Sequence, residues 1–220
     1  MTTLLRVDAS IRVEGSVSRA LADSAQAAWQ AEHPNGTVIR RDLGLNPIPT
    51  DTWPLVVAAT MGMLTEDQLG PEHVAATALA RELSDELRAA DAVILAVPLY
   101  NYGISQHVKA WIDMLLTDRE LSSDPGPLAG KPIIFTLARG GGYSPGTPRE
   151  GWDHATPYLE RIFGDVFGMK IRTAVAELTL AAVTPGMETL IEAAKESTEA
   201  AHVTAEEHAA DVARQLADAA

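Results

Sequence analysis

Two short runs constrain the fold most: "AVILAVP" at residues 92–98 and "PIIFTL" at residues 132–137, which are apolar at almost every position. A strand with one face in water alternates apolar and polar residues, so an uninterrupted run marks a strand covered on both faces, as in a parallel sheet between helix layers. These runs are read as strands over 92–97 and 133–137, and three more strand-like runs lie at 4–9, 37–42 and 171–176. Between them apolar residues recur at helical spacing over 17–31, 71–89, 105–116, 152–167 and from about 186 to 216. Strand and helix alternate, which predicts an α/β chain with a doubly wound five-stranded parallel sheet, helices on both faces and strand order 2-1-3-4-5. The 220 residues suffice for a single domain, expected over 1–220, with a full core.

In that order the first, third and fourth strands are neighbours at the centre, and ligands bind in the crevice at the carboxyl ends of such strands. The loops to inspect therefore follow Ala9, Val97 and Leu137. The first brings Ser10, Ser16 and Ser18 to the start of a helix. A helix N-terminus carries unpaired N–H donors and partial positive charge, so converging hydroxyls there make an anion site suited to phosphate; the alternative is that Ser16 only caps the helix. The second loop, "PLYNYGISQHVKAWIDML", flanks Asn101 with Tyr100 and Tyr102 before a helix whose apolar face is Val108, Trp111, Ile112 and Leu115. The third, "ARGGGYSPG", sets three glycines between Arg139 and Tyr143. Glycines let a backbone approach a planar ring and present its N–H groups, although singly they also read as a plain turn, and the tyrosines as core edge.

The net charge of −13, spread along the chain, disfavours nucleic acid and suits a soluble cytoplasmic protein, so a bound anion must be held by local amides and hydroxyls. With no cysteine, disulfides, thiolate metal sites and thiol nucleophiles are excluded, and redox chemistry needs a borrowed cofactor. No basic start followed by an apolar stretch opens the chain and no apolar run approaches the roughly 20 residues that span a bilayer, so neither secretion nor membrane insertion is expected. The six histidines form no pair at ligand spacing with an acid nearby, so no metal is expected. "GPLAGKP" approaches a nucleotide phosphate loop, but Gly126 stands one residue too close to Gly130-Lys131 and Pro132 replaces the metal-binding hydroxyl. The acidic final helix reads as a solvated face.

The serine loop, "RDLGLNPIP" at 41–49, "PLYNYGISQHVKAWID", "ARGGGY" and "TPYLERIFGDVFG" at 156–168 together carry a family likeness. The chain resembles the flavodoxin-like, FMN-dependent NADH:quinone oxidoreductases and azoreductases from its first strand to its final helix. That resemblance implies a flavodoxin-like fold in which Ser10, Ser16, Val17 and Ser18 hold the FMN phosphate. It implies that Leu99, Tyr100, Asn101 and Tyr102 lie along the isoalloxazine, that Arg139, Gly140, Gly141 and Tyr143 wrap its pyrimidine side, and that Pro98 and Ala138 complete the cofactor site. The implied reaction is ping-pong: NADH or NADPH gives a hydride to the flavin, leaves, and is replaced by a quinone or azo acceptor that takes two electrons. A homodimer with sites near the partner chain is implied as well, and the apolar face after Asn101 is a candidate surface for it. Tyr143 and His154 are candidate proton donors to the reduced acceptor. Departures from the family pattern are Ala138, which lacks a hydroxyl common before the arginine, Leu99 in place of methionine, and residues 117–127, which lack aromatics. Two other readings of an FMN site are a flavodoxin-type electron carrier and a non-catalytic FMN-binding module.

Overall fold

The computed structural model describes residues 2–218. Strands β1 (Thr3–Asp8), β2 (Thr37–Asp42), β3 (Ala92–Pro98), β4 (Pro132–Ala138) and β5 (Lys170–Ala176) form one parallel sheet in the order β2-β1-β3-β4-β5. The parallel sheet is the one the apolar runs point to, and its flavodoxin-like order is the one expected for five strands alternating with helices. The helices are α1 (Val17–Glu32), α2 (Thr52–Thr60), α3 (Pro71–Ala89), α4 (Gln106–Leu115), α5 (Thr156–Leu159) and α6 (Ile191–Asp218).

Every residue of β3 is buried because its alternating side chains enter two different cores. Val93, Leu95 and Val97 pack with Leu83 and Leu87 of α3 and with Val108, Trp111, Ile112 and Leu115 of α4. Ala92, Ile94 and Ala96 pack with Ala22, Ala25 and Trp29 of α1 and Ala205, Ala209 and Val212 of α6. The second core is rich in alanine, which lets α1 and α6 lie close to the sheet and to each other. The alanine-rich stretch of α6 is therefore a packing stripe, and only its opposite side is the solvated acidic face. The apolar face of α4 is likewise consumed by this chain's own core, with Val108, Ile112 and Leu115 fully buried, and is not free for a partner.

Three elements differ from the sequence expectation. Helix α2 is unexpected, because "TWPLVVAAT" is apolar nearly throughout and shows no helical period; Pro54 falls in its first turn, where no N–H is needed. The helix expected from residue 152 starts at Thr156, because Asp153 Oδ1 accepts the N–H groups of Ala155 at 2.8 Å and Thr156 at 3.0 Å and holds the chain in a turn. It then widens into a π-helix over Glu160–Val166, where Phe167 N–H donates to the Ile162 carbonyl at 3.0 Å. That bulge sets Phe163 against Trp111, Phe135 and Phe167, with ring centroids 5.7–5.8 Å away. The final helix starts at Ile191 rather than near 186, after a 3₁₀ turn at Glu188–Leu190.

Candidate functional site

The loop between β1 and α1 is held by a chain of buried charges. Along β1 the side chains of Leu4, Arg6 and Asp8 share the α1 side of the sheet, so strand geometry puts a guanidinium and a carboxylate next to each other in the interior. Arg6 grips Asp8 with two bonds, Nε to Oδ2 at 2.9 Å and Nη2 to Oδ1 at 3.1 Å, and pairs with Asp23 at 2.5 Å. Arg19 of α1 makes a second two-pronged pair with Asp42 at the end of β2, at 2.6 and 2.8 Å. The same guanidinium donates to the Ser10 carbonyl at 2.7 Å and to the Arg12 carbonyl at 3.0 Å, so it fixes the loop's backbone. Burial alone would raise the Asp42 pKa, but the Arg19 bonds, the Leu45 and Gly44 amides and the Arg19 charge outweigh it and hold the carboxyl below its ordinary value.

With the backbone so fixed, the Ser10 hydroxyl accepts the Arg12 N–H at 3.2 Å and lies 3.4 Å from the Tyr100 hydroxyl, while those of Ser16 and Ser18 are left over. Ser105 caps α4 by accepting the Val108 N–H at 3.3 Å, yet Ser16, in the equivalent place on α1, makes no capping bond. Its hydroxyl lies 3.5 Å from that of Ser18, and both residues are buried. The Ser18 carbonyl accepts from the buried Thr136 hydroxyl of β4 at 3.1 Å, which ties the first turn of α1 to the sheet centre. Two buried hydroxyls at a helix N-terminus with no protein partner but the long contact to each other suit a phosphate. Replacing Ser16 and Ser18 together by alanine is expected to remove about 1 kcal/mol of phosphate binding each, raising the FMN dissociation constant roughly 30-fold. A fluorescence titration of apoprotein measures this, and an unchanged constant would return the serines to a structural role.

After β3 the chain makes a two-residue turn in which Asn101 (φ 49°) and Tyr102 (φ 68°) both adopt the left-handed region, closed by Tyr100 N–H to Gly103 carbonyl at 3.0 Å and the reverse bond at 2.9 Å. Non-glycine residues seldom occupy that region, and such strain concentrates at functional sites. The His154 N–H, donating to the Tyr102 carbonyl at 2.9 Å, fastens the turn to the segment before α5. After β4, the carbonyls of Arg139, Gly140 and Gly141 accept the N–H groups of Thr179, Leu180 and Leu178 at 3.0–3.2 Å. The N–H groups of Gly140, Gly141 and Gly142 have no protein acceptor among the described residues.

Two contiguous clefts result. The first, roughly 190 Å³, is lined by Ser10, Ser16, Val17, Ser18, Pro98, Leu99, Tyr100, Ala138 and Gly140. The second, roughly 270 Å³, is lined by Leu99, Asn101, Tyr102, Gly140, Gly141 and Tyr143. Leu99, Gly140 and Leu180 border both, and together the clefts fall within the roughly 300–1,000 Å³ usual for a cofactor. Uncommitted hydroxyls at one end and unpartnered amides along the other fit an FMN laid from phosphate to ring. A larger groove of about 670 Å³ between α2 and α3 is lined by none of these residues.

Two expected residues lie elsewhere. The Arg139 side chain borders neither cleft: its guanidinium pairs with Asp153 at 2.6 Å and Glu177 at 3.0 Å and donates to the Thr156 hydroxyl at 3.0 Å, so it braces the loops from behind. His154 is exposed and lines neither cleft. Conversely, the first cleft is also lined by Arg12, Thr179, Leu180 and Val183, and the second by Arg149, Thr184 and Met187. The loop after β5 carried no motif to betray it; Arg12 stood inside the first loop singled out, whereas Arg149 lies three residues beyond "ARGGGYSPG", which ends at Gly146.

Sheet order, switch-point clefts and a phosphate-ready helix start define a flavodoxin-like mononucleotide-binding protein, and a family model described as "Flavodoxin-like fold" matches residues 2–211. An FMN-dependent NADH:quinone oxidoreductase of Streptomyces avermitilis is 40% identical over 220 residues, covering 99% of this chain and 98% of that protein. One of Parafrankia sp. is 35% identical, covering 96% of this chain and all of that one. Among solved structures, an azoreductase from Bacillus anthracis superposes with a TM-score of 0.76 at 28% identity, over 96% of this chain and 100% of that one. The chain belongs to the family of FMN-dependent NADH:quinone oxidoreductases.

Proposed function

We propose that this protein is an FMN-dependent NAD(P)H oxidoreductase that transfers two electrons to quinones and azo compounds by a ping-pong mechanism. The observation that carries the reading is the pair of uncommitted hydroxyls, Ser16 and Ser18, at one end of a continuous cleft whose other end is edged by the free amides of Gly140 to Gly142. When bound, FMN supplies the redox chemistry, accepting hydride from the donor and passing an electron pair to the acceptor. The protein holds the phosphate at α1, lays Leu99 and Tyr100 along the cleft, and offers preorganised N–H donors where negative charge develops. In this reading Tyr143, which borders the second cleft, gives a proton to the acceptor; Glu177 fixes its backbone by accepting the Tyr143 N–H at 3.0 Å.

The whole chain is read as one functional unit. A homodimer is part of the proposal, and its support moves from α4 to α2 and α3. There Val74 is 64% exposed beside the larger groove, and Met61 and Met63 follow α2 at 54% and 66%. Cytoplasmic residence rests on the nicotinamide donor, which cells keep inside; no helix among the described residues is long and apolar enough to cross a membrane. The test is anaerobic addition of NADH or NADPH to the yellow holoprotein. Rapid bleaching, reversed by a simple quinone, is expected. No bleaching by either nucleotide overturns the reductase reading and points to an electron carrier.

A further inference from the structure

We propose that Arg149 receives the diphosphate of the nicotinamide donor at the mouth of the second cleft. The inference rests on the reading that a flavin occupies the two clefts. A chain with net charge −13 repels an anionic dinucleotide, so a donor site needs a local cation that its own acids have not neutralised. Arg149 is such a group: it lines the second cleft, is exposed, and makes no ion pair among the described residues. Its guanidinium lies against the glycine loop, since a Cβ at Gly141 would stand 2.5 Å from Arg149 Nη1 and 3.7 Å from the Tyr143 ring.

The neighbouring carboxylates are all engaged by other donors. Glu150 accepts the Gly146 N–H at 2.8 Å. Asp153 pairs with Arg139 at 2.6 Å and caps the turn before α5. Glu177 pairs with Arg139 and accepts from the Tyr143 N–H and the Ser144 hydroxyl, each at 3.0 Å. The backbone that carries Arg149 is also fixed, because the Thr147 hydroxyl donates to the Gly142 carbonyl at 3.0 Å and the Trp152 N–H to the Arg149 carbonyl at 3.1 Å. Beside it Tyr102 and Trp152 meet edge to face at 5.5 Å while remaining 42% and 51% exposed, an aromatic rim of the kind a flat nucleotide ring covers. A planar fork of donors pairs strongly with a diphosphate and only weakly with a neutral quinone carbonyl, so Arg149 discriminates among donors more than among uncharged acceptors.

The test uses holoenzyme and the variants Arg149→Ala and Arg149→Lys, with a fixed quinone. KM is measured for NADH, for N-benzyl-1,4-dihydronicotinamide, a hydride donor with no phosphate, and for the quinone itself. In Arg149→Ala the ratio of the two donor KM values is expected to rise about tenfold in favour of the phosphate-free donor, with partial recovery in Arg149→Lys and a smaller difference at high salt. An unchanged ratio, a loss of bound FMN, or a shift confined to the quinone KM overturns the assignment. Failure of the underlying reading is separate: wild-type protein would then oxidise neither donor.

Discussion

Replacing Arg6 by methionine is expected to destabilise the protein by about 3 kcal/mol, because it removes both hydrogen bonds of the buried Asp8 carboxylate and leaves it only the longer Arg19 contact. Asp8 has a side chain only 6% exposed, and after the substitution its nearest cation would be Arg19 at 3.7 Å. The cost lies in the orphaned charge rather than in the lost pair, since an apolar pair of similar volume can stand in for a buried ion pair with little penalty. The double variant Arg6→Met/Asp8→Leu should therefore recover most of the loss. Urea unfolding of all three proteins decides the matter. A single variant within about 1 kcal/mol of wild type would show that water or relaxation reaches this site.

Replacing Gly44 by alanine is expected to cost about 3 kcal/mol and to weaken FMN binding about tenfold. Gly44 follows β2, and a Cβ there would overlap the Ser10 carbonyl, standing 2.6 Å from its carbon. That carbonyl is the one Arg19 holds at 2.7 Å, so a push on it displaces the loop that presents the serine hydroxyls. The obstacle is backbone, which cannot swing aside as a side-chain tip can. Gly103→Ala is the control, because nothing lies within 4 Å of its Cβ position. Equal melting temperatures and equal FMN affinities for the two variants would defeat the argument.

The covered parallel sheet was legible because β3 and β4 are apolar at almost every position, and its order because five strands alternating with helices suit 2-1-3-4-5. The three serine, tyrosine and glycine loops were legible for a related reason: switch-point topology says where to look before any residue is weighed. What could not be read was the identity of partners brought together from distant positions. Arg139 stands in a loop that borders the cleft, and nothing local shows that Asp153 and Glu177 claim its side chain. The apolar face of α4 fits a partner chain as well as the chain's own core, and only packing against β3 decides between them. Helix α2 escaped because a helix apolar on all sides has no period to detect.

The strand order also dictates when the cofactor can take part in the making of the protein. β1 and β2 leave the ribosome early and can pair, but the other edge of β1 waits for β3, whose Ala92 is the partner of Leu4. At roughly 5–20 residues per second of synthesis, that apolar edge stays open for on the order of 5–20 s, a window in which a chaperone has a substrate and aggregation a template. The cleft needs still more of the chain, since Leu180 and Met187 line it from beyond the last strand. The complete FMN cleft therefore forms too late to nucleate the sheet. The nascent chain must find its topology without the cofactor, which can only add its binding energy to a structure whose final strand is already in place.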